Sequence, residues 1–164
     1  MSKKNLLQLT LGLLFMALII GIASSIPAKQ EDVIAAEIFP TALLAERTAW
    51  SAPETASASV LIFYNPDCEH CQYEAKTLST HPDFQEREVV WLSGAASEEN
   101  RAFQEQYTSA APAAFQFLDD PQYAVANALG VRTFPTILIY GAEGELLKRY
   151  EGETKPEAIL RWVE

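Results

Sequence analysis

The chain has 164 residues, 49% of them hydrophobic, with a formal net charge of −10 and two cysteines. An acidic balance of that size disfavours nucleic acid and anionic lipid surfaces as ligands, and two cysteines are too few for a disulfide-stapled scaffold. The length suits one domain with a full hydrophobic core and an appended segment.

Lys3 and Lys4 precede an apolar stretch, Leu6 to Ile26, interrupted by Gln8, Thr10, Ser24 and Ser25. Positive residues stay on the cytoplasmic side, so the body that follows is expected to be exported. Two fates fit residues 1–26. As a signal-anchor helix, about 21 residues at ~1.5 Å each match the hydrocarbon core, and 6–26 would be the membrane contact. As a signal peptide, the small residues Ala23 and Ser25 offer cleavage after Ser25. Both place the cysteines where a disulfide can persist.

Residues 27–40 form a linker: Pro27 to Asp32 is a polar spacer, and Val33 to Phe39 is a short apolar piece, strand or helical turn, stopped by Pro40. The domain proper is expected over 41–164. Thr41 to Trp50 has helical spacing of Leu43, Leu44, Arg47 and Trp50. Ser51 to Ser59 is small, polar and proline-bearing, hence a loop. Val60 to Phe63 is a buried strand.

Both cysteines follow at once, in Tyr64-Asn65-Pro66-Asp67-Cys68-Glu69-His70-Cys71-Gln72-Tyr73-Glu74. Gln72 to Leu78 is rich in helix formers, so the pair sits where a strand ends and a helix begins. Cysteines at i and i+3 in a first helical turn face one side, with Cα atoms roughly 5 to 6 Å apart, as a disulfide requires. A helix N-terminus favours the thiolate, the reactive form. Cys68 gains most and is the expected attacking thiol; Cys71, a turn deeper, is the expected resolving thiol. The same spacing serves half a zinc site, but the chain offers no third cysteine, and its histidines are His70 and His81. A merely structural disulfide is the other alternative, although so short a loop removes little unfolded-chain entropy. No metal is therefore assigned, and the expected redox group is the Cys68–Cys71 disulfide itself, with no other cofactor.

Beyond His81-Pro82-Asp83, a break, Glu88 to Ser93 is a second buried strand and Ser97 to Tyr107 a helix with a partial capping signal at Ser97 and Asn100. Ala114 to Leu118 is a short strand. Asp120 before Pro121 suits a helix start, the helix running to about Leu129. Thr136 to Tyr140 and Glu145 to Tyr150 are strands of a hairpin turning at Gly141-Ala142-Glu143-Gly144, and Pro156 to Val163 is a closing helix. Strands alternating with helices imply an α/β fold with a central mixed sheet. Pro135, directly before a central strand, cannot donate to a ladder; it is either an ordinary loop proline or the second residue of a cis Phe134–Pro135 bond.

The strand, C-x-x-C helix, later strand led by Thr133-Phe134-Pro135-Thr136, hairpin and final helix resemble the thioredoxin superfamily over roughly residues 41–164. An extra strand-helix pair after the cysteine helix resembles its exported TlpA-like and redoxin-like branch. The resemblance implies a thioredoxin-like fold and a thiol-disulfide oxidoreductase, reducing disulfides of extracytoplasmic proteins by dithiol exchange. Implied partners are disulfide-bearing or dithiol proteins and a membrane electron donor or acceptor. Cys68 would be nucleophile and Cys71 resolving thiol; Pro135 would be a cis-proline packed against them. The Phe134 backbone would hold substrate by β-pairing. Glu74, in C-x-x-C-x-x-E, would modulate the cysteines and shuttle a proton; a solvated helix glutamate is its ordinary alternative.

The chain also departs from the family. The usual buried aspartate is Ile62, the usual tryptophan before the first cysteine is Asp67, and the usual proline of the dipeptide is His70. Protonated His70 would make the disulfide more oxidising, whereas Asp67 and Glu69 oppose the thiolate by like charge. An oxidase or isomerase of the same fold, or a binding or metal-holding module without activity, are the competing functions.

Overall fold

The computed structural model describes residues 37–50 and 59–163. The expected signal segment 1–26, most of the linker and nearly all of the 51–59 loop lie outside them. The described elements, in order, are α1 (Thr41–Arg47), β1 (Ser59–Phe63), α2 (Glu69–Thr80), β2 (Val89–Ser93), α3 (Ser97–Tyr107), β3 (Phe115–Asp119), α4 (Ala124–Ala128), β4 (Thr136–Tyr140), β5 (Leu146–Glu151) and α5 (Pro156–Leu160). Short 3-10 turns occupy Pro82–Phe84 and Pro121–Tyr123.

Among the described residues the strands form one mixed sheet of order β3-β2-β1-β4-β5. The pairs β1–β2 and β2–β3 are parallel, and β1–β4 and β4–β5 antiparallel. Helices α2 and α3 supply the crossovers that parallel strands need. The strand β2 and helix α3 follow the cysteine helix directly, where the extra strand-helix pair is expected.

Successive strand residues point to opposite faces, and the apolar runs fill both. Val60, Ile62, Val89, Trp91, Ile137 and Ile139 pack beneath α2, α3 and α5. Leu61, Phe63, Val90, Leu92, Leu138 and Tyr140 pack against α1 and α4. Continuous apolar composition, not alternation, therefore marks β1, β2 and β4, which are buried throughout.

Several element ends differ from expectation. Helix α1 stops at Arg47 because Thr48 turns to extended backbone (φ −134°) and its hydroxyl donates to Leu44 O at 2.7 Å; Trp50 is nonetheless buried. Ser59 is a strand residue, and Ile38 makes a single antiparallel bridge to Glu145. Ser97 and Asn100 do not cap α3; both donate to Asp119, while Glu99 accepts the Ala96 N–H at 3.1 Å. Helix α5 ends at Leu160, three residues short of the expected end.

The largest correction concerns Asp120. No helix runs from Pro121 to Leu129, because Gln122 (φ 60°) and Tyr123 (φ 54°) adopt left-handed backbone and only Ala124–Ala128 is α-helical. The Asp120 carboxylate reaches past this kink to accept the N–H groups of Val125 and Ala126 at 2.8 and 2.9 Å.

Strand register gathers the site. Phe63 pairs with Thr136 across β1–β4, and Thr136 with Glu151 across β4–β5. The segment leaving β1, residue 135 before β4, and residues 152–154 after β5 therefore meet at one end of the sheet.

Candidate functional site: the Cys68–Cys71 pair

The segment from β1 to α2 is shaped by Asn65. Its side-chain oxygen accepts the Asp67 N–H at 2.9 Å and its carbonyl accepts the Cys68 N–H at 3.0 Å, a side-chain-stabilised turn. Gln72 Nε2 ties back to Pro66 O at 2.8 Å. Cys68 then takes the N-cap position of α2 in extended backbone (φ −87°, ψ 116°) without a side-chain capping bond. Its sulfur is half-buried, whereas Cys71 is fully buried in the core face that holds Ile62 and Tyr64. One sulfur is reachable and the other is shielded.

The Phe134–Pro135 peptide bond is cis. Cys68 Sγ donates to Phe134 O at 3.6 Å, and Pro135 O accepts the Gly152 N–H at 2.7 Å. Pro135 is buried and Phe134 half-buried. The Phe134 ring lies 5.8 Å from that of Tyr123, and the two border a cleft of about 230 Å³ with Ala126, Asn127, Val131 and Arg132. Gly94 matters here: a Cβ on it would sit 2.6 Å from the Tyr123 ring, so glycine lets that ring lie flat on the backbone. A larger surface hollow, about 710 Å³, lies by Pro82, Arg87 and Leu160 at the other end of the sheet and carries no thiol.

Glu74 is not a solvated helix residue: it is 1% exposed. Its Oε2 accepts the Thr154 N–H at 2.8 Å, and its Oε1 has no protein partner. Burial pushes its pKa up to about 7; the Thr154 N–H opposes the shift and the Glu153 charge adds to it. The Cys71 thiol is pushed well above the usual thiol range, mainly by burial and against a backbone hydrogen bond with Asn65, with Cys68 and the charge of Glu74 adding. Ile62 occupies with hydrocarbon the place where the resemblance would put an acid, and Glu74 is the carboxylate whose charge acts on the Cys71 thiol.

Asp67, Glu69 and His70 are all exposed. His70 Nδ1 lies 2.9 Å from Glu153 Oε2. The structure thus brings together Cys68, Cys71, Glu74, His70, Phe134 and Pro135, and leaves Asp67 and Glu69 as surface charges. Glu153, Thr154 and Tyr123 join the site without a sequence signal: 83 residues separate His70 from Glu153, and only the strand register brings them together. Among the described residues no group of three or more His, Cys, Asp or Glu is arranged to hold a metal ion, and no helix is long and apolar enough to cross a membrane.

A search of curated protein sequences finds no match. Solved structures do resemble the chain. Mycobacterium tuberculosis dsbF, in mixed oxidised and reduced forms, is 22% identical over 66% of this chain and 80% of its own, with a TM-score of 0.57. A secreted M. tuberculosis disulfide oxidoreductase homologous to Escherichia coli DsbE is 21% identical over 65% and 81%, with a TM-score of 0.54. StoA of Bacillus subtilis is 22% identical over 68% and 86%, also at 0.54. At these identities the likeness is one of fold. A family model described as a thioredoxin-like domain matches residues 46–164, most of the chain and all of the site just described, and the protein belongs to that family.

Proposed function

We propose that the protein is a thiol-disulfide oxidoreductase that reduces disulfides of extracytoplasmic proteins through Cys68 and Cys71. One observation carries this reading: an accessible sulfur at a helix start beside a shielded one, with a buried carboxyl group of raised proton affinity next to the shielded thiol.

The chemistry follows from those positions. The Cys68 thiolate attacks one sulfur of the target disulfide, forming a mixed disulfide and releasing the other target sulfur as a thiolate. A thiolate cannot donate to Phe134 O, so attack frees that carbonyl for a target strand, whose side chains would rest in the Tyr123–Phe134 cleft. Cys71 must then lose its proton to attack Cys68. Burial opposes that loss, and Glu74 in its charged form accepts the proton through Oε1, directly or through one water. The target leaves reduced and the protein carries the Cys68–Cys71 disulfide, which a membrane dithiol donor would reduce again. Oxidation of targets is the same path reversed. The proton shuttle serves both directions alike; the reductive one is supported by burial and the Glu74 charge, which disfavour the Cys71 thiolate and so withhold the thiolate stabilisation that makes a disulfide oxidising.

The export expected from the N-terminal sequence agrees with this reading. The Lys3, Lys4 and Leu6–Ile26 pattern suits a signal-anchor or a cleaved signal peptide, and related folds are a secreted disulfide oxidoreductase and an exposed pneumococcal lipoprotein thioredoxin. The test is reduction of insulin by dithiothreitol with catalytic protein. Wild type should accelerate it, Cys68→Ser should not, and Cys71→Ser mixed with insulin in the absence of dithiothreitol should accumulate an insulin adduct through Cys68. Acceleration that survives Cys68→Ser, or no acceleration at all, would leave a binding module as the better description.

A further inference from the structure

We propose that Glu153 is a positioning residue of the cysteine site, and that its carboxylate, by engaging His70, keeps the Cys68–Cys71 pair more reducing than the Cys68-Glu69-His70-Cys71 sequence would otherwise be. The inference rests on the dithiol-exchange reading above and adds a residue that the reading does not use.

Three consecutive residues after β5 touch three parts of the site. The Gly152 N–H donates to Pro135 O at 2.7 Å, Glu153 Oε2 meets His70 Nδ1 at 2.9 Å, and the Thr154 N–H donates to Glu74 Oε2 at 2.8 Å. The tripeptide is held in shape by Thr154 Oγ1 on Gly152 O at 3.1 Å and by a φ of 97° at Gly152, a conformation that favours glycine. Glu153 is therefore presented to His70 by a backbone already fixed on both sides.

A carboxylate only accepts, so His70 Nδ1 carries its hydrogen whichever charge state the ring adopts. The consequence for Cys68 does not depend on that state. With Glu153 present, the His70–Glu153 pair has a net charge between −1 and 0. With glutamine in its place the charge lies between 0 and +1. Removing the carboxylate thus makes the surroundings of Cys68 more positive at any pH where Glu153 is ionised. A more positive environment stabilises the thiolate, hence the reduced form, and makes the disulfide more oxidising. Asp67 in the turn before α2, Glu69 on its first turn, Glu74 one turn on, and Glu151 and Lys155 flanking in sequence are unchanged by the substitution; Glu151 is engaged with Arg149 Nε at 3.0 Å.

The test is equilibration of the protein disulfide with two glutathione thiols, giving the dithiol and glutathione disulfide, at low and high salt. His70 and Glu153 are largely exposed, their side chains 71% and 41% accessible, so the effect is that of a screened pair. Glu153→Gln should shift the equilibrium constant about threefold toward the dithiol, about 14 mV at 29.6 mV per tenfold. Glu153→Asp, which keeps the charge, should stay near wild type, and the shift should shrink at 1 M salt. In a His70→Ala background the contact that holds the Glu153 carboxylate at residue 70 is lost and the side chain turns to solvent, so Glu153→Gln should have less than half its effect. An unchanged constant in Glu153→Gln, or a full shift without His70, would overturn the inference while leaving the exchange reaction intact. A wild-type protein with no two-electron transition would overturn the functional reading, and this inference with it.

Discussion

Glu74 and Glu88 are buried glutamates at opposite ends of one sheet, 1% and 7% exposed. Each has one oxygen held by a hydrogen bond and one without a protein partner: Thr154 N–H and Ser59 Oγ donate to Oε2 of Glu74 and Glu88, at 2.8 and 3.0 Å. Burial raises the proton affinity of both. What differs is the company. Glu74 lies at the carboxyl end of β1 among Cys71, Glu153 and the turn bearing Cys68, where its charge reaches a thiol. Glu88 precedes β2 at the far end, and its partner is a hydroxyl. Desolvation alone makes a carboxyl group a proton store; a neighbour that must lose a proton makes the store useful.

The largest effects are expected at the sulfurs. Cys68→Ser should reduce insulin-disulfide turnover to the uncatalysed background, and Cys71→Ser should stop it at the mixed disulfide. Glu88→Gln should leave turnover within about twofold, since it touches no reacting atom. Next comes Glu74→Gln, which should slow release of the mixed disulfide by about 100-fold in single-turnover measurements. In wild type that step should speed up as pH rises through about 7, where Glu74 becomes a base, and this limb should vanish in Glu74→Gln but survive in Glu88→Gln.

Stability gives the third contrast. A carboxyl group whose pKa is raised on folding binds protons more tightly in the native state. Its contribution is fully present below the ordinary glutamate range near 4.5 and is lost as pH climbs through about 7. Urea titrations should show wild type losing about 2 to 3 kcal/mol over that interval relative to Glu74→Gln. Glu88→Gln should remove a loss of the same sign. The smallest effect concerns the kink: Gln122→Gly, at φ 60°, should stabilise the fold by up to about 1 kcal/mol with turnover unchanged.

Much of this molecule was legible in its sequence because its strands are apolar on both faces. Val60 to Phe63, Val89 to Leu92 and Thr136 to Tyr140 can hardly be anything but buried strands, and two cysteines at a strand-helix junction followed by Phe134-Pro135-Thr136 point to the fold. The kink at Gln122 and Tyr123 was not legible, since neither residue type favours left-handed backbone and Asp120-Pro121 carries an ordinary helix-start signal. Neither was the burial of Glu74, which depends on the β5–α5 turn closing over α2. Glu153 and Thr154 belong to the site only through the pairing of Phe63 with Thr136 and of Thr136 with Glu151, and a sequence read along one chain does not display register across three strands.

The central claim is that Cys68 and Cys71 cycle between dithiol and disulfide at a reducing potential. Titrating wild-type protein in glutathione buffers, with the two thiols counted by mass after alkylation, tests it most directly. One two-electron transition is expected, with a midpoint near that of thioredoxin, about −270 mV. A midpoint near −120 mV, the range of strong oxidants, would contradict the reductive direction, and the absence of any intramolecular disulfide across the titration would contradict the chemistry itself.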